Sequence, residues 1–125
     1  MNIHEAIKDL NAVKDESMDG VVLELETRFG SLPNTLKSLI CIKPDHYTTN
    51  KTDPLIKLNK TGLLNFGYNY DYDMLGNGMI PLFDMFDANY IVYRVRENDY
   101  CVFSVISEMP LSITNDIFEL IAEYF

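Results

Sequence analysis

The runs Tyr90-Ile91-Val92-Tyr93-Arg94-Val95-Arg96 and Tyr100-Cys101-Val102-Phe103-Ser104-Val105-Ile106, joined by Glu97-Asn98-Asp99, decide the fold. Both are rich in β-branched and aromatic residues, and the three polar residues between them suit a tight turn. This is the pattern of a β-hairpin, whose strands must pair antiparallel. Strand side chains alternate between faces, so Ile91, Tyr93 and Val95 share one side.

Upstream, residues 84–89 read as a turn holding Asp84 and Asp87, and Met79-Ile80-Pro81-Leu82-Phe83 as a short apolar strand. Its internal proline favours a sheet edge or a strand start. Gly76-Asn77-Gly78 marks another turn. Before it, Phe66, Tyr68, Tyr70 and Tyr72 alternate with Gly67, Asn69, Asp71 and Asp73, the period of a further strand. Residues 44–62, dominated by Thr, Asn, Asp, Pro and Lys, read as a long loop with one short strand over 55–58.

Downstream, Pro110 is expected to end the sheet. Thr114 or Asn115 then caps a final helix whose Ile117, Leu120, Ile121 and Phe125 fall at helical spacing. At the other end of the chain, Ile3, Ala6, Ile7 and Leu10 form a helical stripe behind Asn2 and Glu5, which resemble a capping box. A second helix carries Val22, Leu25 and Phe29 and stops at Gly30. Pro33 suits the first turn of a third helix, with Leu36, Leu39 and Ile40 facing inward. The expected fold is α+β. It has N-terminal helices, a mostly antiparallel sheet of about four to six strands, and a C-terminal helix packed on that sheet.

The 125 residues suit one domain over 1–125, and 47% hydrophobic content suits a single core without staples. No apolar run approaches the roughly 18 residues of a membrane span. The first residues lack the basic start and apolar stretch of a secretory signal. A cytoplasmic location is therefore expected, with Cys41 and Cys101 as buried thiols in preference to a disulfide. Net charge is −9, and residues 61–125 carry ten acids against Arg94 and Arg96 alone. Such a surface repels nucleic acid and anionic membranes and attracts basic proteins. The same acids also serve plain solubility.

Few residues point to catalysis. His4 and His46 are the two histidines. Cys41 lies near His46 in sequence but within the apolar run Leu39-Ile40-Cys41-Ile42, so an inert thiol is the better reading. Asp71, Asp73 and Gly76 match positions one, three and six of a calcium loop. Leu75 and Leu82 stand where oxygen ligands are required, so no metal site follows. Gly76 and Gly78 lack the rest of a phosphate loop. Asp84 and Asp87 have acid–base chemistry available, but turn residues account for both. No catalytic residue and no cofactor is expected.

Tyr68, Tyr70, Asp71, Tyr72 and Asp73 lie within six residues. Tyrosine adds large contact area at low entropic cost, and neighbouring carboxylates would meet a partner's arginines or lysines. With Asp84 and Asp87, these residues are the candidate partner contacts. A half-buried strand would equally explain the tyrosines.

Three stretches resemble the SUKH superfamily of bacterial immunity proteins and related regulators. Residues 23–33, Leu-Glu-Leu-Glu-Thr-Arg-Phe-Gly-Ser-Leu-Pro, resemble the family's glutamate-bearing helix, glycine and Leu-Pro opening of the next helix. Met79-Ile80-Pro81-Leu82-Phe83 is similar to its Ile-Pro strand, and residues 90–106 with 117–125 to its hairpin and closing helix. Ile42-Lys43-Pro44-Asp45-His46 departs from the family's glycine turn, and residues 43–62 have no counterpart. The resemblance implies an α+β fold without an active site. It further implies a cytoplasmic antidote that blocks a protein toxin, many such toxins being basic nucleases. The alternative is a non-enzymatic interaction module of a regulatory complex.

Overall fold

In the computed structural model, which describes residues 1–51, 53–66 and 71–125, the hairpin lies at the centre of an antiparallel sheet. The first two long strands of that sheet are β3 (Met79–Asp84) and β4 (Asn89–Arg94); β5 (Asp99–Ser104) and β6 (Met109–Thr114) follow. The short β1 (His46–Tyr47) and β2 (Leu55–Lys57) extend it, and the strands lie in chain order. Every pairing among them is antiparallel. The helices are α1 (Ile3–Lys8), α2 (Asp19–Phe29), α3 (Asn34–Ile40), α4 (Lys60–Leu64) and α5 (Ile117–Tyr124). The α+β architecture and the C-terminal helix on the sheet are as the sequence implies.

Local chemistry explains the helix ends. Asn2 Oδ1 accepts the His4 N–H at 2.8 Å and caps α1. Gly30 closes α2 at φ 86°, a conformation that costs other residues strain. Pro33 occupies the cap position just before α3. Asp116, one residue beyond the expected Thr114 or Asn115, caps α5 by accepting the Phe118 N–H at 2.9 Å. In α2 the buried stripe is Val21 and Leu25, with Val22 and Phe29 at its margin.

Four expectations are corrected. In the loop over 44–62 the short strand expected over 55–58 is β2, but the loop also contains β1 and the start of α4, because Tyr47 and Leu63 must reach the core. Pro110 does not end the sheet. It lies inside β6, an edge strand, where a missing N–H is tolerated. Pro81 stands in an inner strand, but β2 pairs only with Phe83 and Asp84, and a register shift follows between Pro81 and Phe83. The strand expected over 66–73 is absent at its described positions. Asn65 and Phe66 form a turn, and residues 71–73 are irregular.

The fourth correction has a packing cause. Both faces of the sheet are buried over β3, β4 and β5. Ile80, Leu82, Ile91, Tyr93, Tyr100 and Val102 belong to the main core with α1, α2, α3 and α5. Met79, Tyr90, Val92, Cys101 and Phe103 form a second, smaller core with Met74. Phe66 stands edge-on to Tyr90 at 4.8 Å between ring centroids, and Tyr72 tilts on Phe103 at 5.3 Å. Phe66 and Tyr72 thus cover a sheet face. Sheets buried on both sides read as continuous apolar runs, and residues 90–93 and 100–103 do so.

Candidate functional site

The β3–β4 turn and the β5–β6 turn lie at the same end of the sheet. Asn89 pairs with Ser104, Ser104 pairs with Met109, and the Val105 N–H donates to the Ala88 carbonyl at 3.0 Å. The β3–β4 turn is strained. Phe86, Asp87 and Ala88 take successive φ values of 71°, 53° and 60°. Left-handed backbone costs non-glycine residues about 1–2 kcal/mol each. Asp84 Oδ1 accepts the Phe86 N–H at 2.8 Å, the Met85 N–H donates to the Asn89 carbonyl at 2.9 Å, and the Asn89 N–H donates to the Phe86 carbonyl at 3.0 Å. The turn turns Phe86 outward, leaving it 39% exposed beside exposed Asp87.

Across from it, Ile106 is 77% exposed, and Met109, Leu111 and Ile113 are 49%, 53% and 55% exposed along β6. Ile113 pairs with Cys101, which faces the second core, so it continues that face to the sheet's rim; a register shift at Leu111 then breaks the alternation, and Met109 pairs with Ser104 on the other face. The opposite face of β6 meets α5, where the Ser112 and Tyr124 hydroxyls hydrogen-bond. Singly exposed apolar residues are ordinary; here four of them fall within eight residues at the rim of the sheet.

Of the candidate contacts, Tyr68 and Tyr70 lie outside the described residues. Tyr72 is half-buried on Phe103, and its phenol pKa is pushed up, first by burial and then by the nearby carboxylates of Glu108 and Asp73. Tyr72 therefore lies close to the β5–β6 turn. Asp84 and Asp87 shape and flank the strained turn, and so join this end of the sheet. Asp71 is exposed. Asp73 is bound up in its own turn, accepting the Gly76 N–H at 2.9 Å, and a Cβ on Gly76 would lie 1.9 Å from its carboxylate. Phe86, Ile106, Glu108 and the exposed residues of β6 were missed. The apolar residues Met109, Leu111 and Ile113 around Pro110 are the sequence signal for β6.

Elsewhere, Cys41 and Cys101 are buried free thiols in the two different cores. The Cys41 thiol donates to Asp19 Oδ1 at 3.5 Å, and burial together with that carboxylate raises its pKa. A nucleophilic thiolate needs the opposite environment. His46 is exposed on β1. Lys57 is fully buried and donates to the carbonyls of Ile40 at 3.0 Å and Leu58 at 2.8 Å, and burial depresses its pKa to about 8. Among the described residues, no three His, Cys, Asp or Glu side chains are grouped to hold a metal ion, and no helix is long and apolar enough to cross a membrane. Compared with protein-family models, curated proteins and solved structures, the chain gives no match.

Proposed function

We propose that this chain works by binding a basic protein, in the role of an immunity protein that neutralises a nuclease-type toxin by covering its active site or substrate surface. The observation that carries the reading is the exposure of Met109, Leu111 and Ile113 on the edge strand β6, set in a wholly anionic stretch. Residues 97–125 contain six acids and no lysine, arginine or histidine. Apolar anchors within a charged rim give a binder both contact energy and electrostatic selection of its partner. The strained, outward-facing Phe86 supports the same end of the sheet, since backbone strain persists where surrounding structure holds it for use. The reading is non-catalytic, cytoplasmic, and involves neither nucleic acid nor membrane. The SUKH-like order of motifs supplies the toxin as the class of partner. The second reading, a module of a regulatory complex, uses the same surface with a different partner.

The test uses the purified protein as bait against lysate of its native source, at low and at moderate salt. One basic protein, retained stoichiometrically, toxic when expressed alone and harmless when co-expressed with this chain, is the expected result. Retention of a multi-protein assembly moves the assignment to the regulatory module. Retention of nothing at either salt concentration overturns protein binding itself.

A further inference from the structure

We propose that β6 receives an extended, lysine- or arginine-flanked apolar segment of the partner protein as a seventh strand of the sheet. The inference rests on the protein-binding reading above and specifies its mode. In the strand order β6 is terminal, and among the described residues it pairs with β5 alone. An edge strand carries a row of main-chain donors and acceptors ready for another chain. Proteins blunt such edges with charged side chains, above all lysine, and with proline. Here the sequence Met109-Pro110-Leu111-Ser112-Ile113-Thr114 holds no charge. Pro110 removes one donor near the start, and the register shift at Leu111 makes a bulge there, which leaves residues 112–114 as the regular segment free to pair. Ile113 then provides an apolar contact on the face beside the second core, with exposed Leu111 next to it.

Charge chooses the occupant. Glu108 precedes the strand, and Asp116 and Glu119 follow it, all exposed. A second copy of this chain, pairing antiparallel across a two-fold axis, would bring Glu108 of each copy toward Asp116 of the other. A segment with cationic residues at both ends meets carboxylates instead.

The probe is a synthetic peptide, Lys-Lys-Val-Ser-Ile-Ser-Val-Lys-Lys, added to the whole chain, with amide hydrogen exchange read residue by residue. The expected result is slowed exchange confined to β6, with affinity falling several-fold between about 50 and about 200 mM salt. The same peptide with glutamate in place of lysine should bind at least about tenfold more weakly. A version with proline at its centre should lose the protection, because it cannot continue the ladder. Protection away from β6, equal binding of the glutamate peptide, or no binding at millimolar peptide overturns the inference. So does self-association of the free chain through β6. The lysate experiment judges the parent reading separately. A basic partner that binds the Leu111→Lys/Ile113→Lys double variant as tightly as the unaltered chain leaves protein binding standing and removes the strand-addition mode.

Discussion

Asp99 receives the Arg94 guanidinium in a two-pronged contact, with both N–H···O distances at 2.7 Å, where β4 turns into β5. The aspartate is buried and the hydrogen bonds are charge-assisted. Asp99→Ala should cost about 2–3 kcal/mol, because a cation is left without its partner, and chemical denaturation measures it. Asp71 and Asp73 separate under the same test. Asp71→Lys should leave stability within about 0.5 kcal/mol, as surface changes do, whereas Asp73→Ala should cost about 1 kcal/mol for its hydrogen bond to the Gly76 N–H. Lys57 has its own pH signature. Its folded pKa of about 8 lies below the ordinary 10.5, so the folded state disfavours the charged form. Between those two values the unfolded chain binds more protons than the folded one, and Lys57 makes stability rise with pH. Cys101, raised from 9 to about 11 by burial, acts oppositely above pH 9. The difference between wild type and Lys57→Met cancels the cysteine contribution. Wild type should gain on the variant as pH rises from 8 to 10, and a flat difference would refute the buried cation.

At the scale of elements, Phe66, Tyr72 and the fully buried Met74 cover the second sheet face. Met74→Ala should cost about 2–4 kcal/mol and expose the face behind it, seen as increased binding of a hydrophobic dye. On the other rim, the Ser112–Tyr124 hydroxyl pair ties α5 to β6. Tyr124→Phe should cost about 1 kcal/mol and speed amide exchange in β6 more than in β4. The hairpin of β4 and β5 was legible in sequence because its residues alone specify pairing. β6 was not, because a proline reads as a terminator until its strand is known to lie at an edge.

For the whole molecule, a net charge of −9 repels itself in the compact state. Raising salt from about 10 to about 200 mM should therefore raise the Tm by a few degrees, by screening that repulsion. An unchanged Tm would mean that the carboxylates are too dispersed to oppose folding. The acids are also unequally placed. Every lysine lies in the first 60 residues, so the half of the chain that supplies β3 to β6 and α5 is the anionic one. Association with a basic partner should accordingly be slowed by the same salt that stabilises the free protein.

The sequence by itself determined the fold class, the central hairpin, the amphipathic stripes of α3 and α5 and the sign of the surface. Each of these is local: the spacing of apolar residues, the chemistry of a turn, or a count of charges. Tertiary structure decided which strands lie at the edge and which faces are covered. It placed Lys57 inside, set Tyr72 against Phe103, and left Leu111 and Ile113 exposed. A period of two announces that a strand has two faces, but only the neighbours packed on each face determine which side chains remain in water.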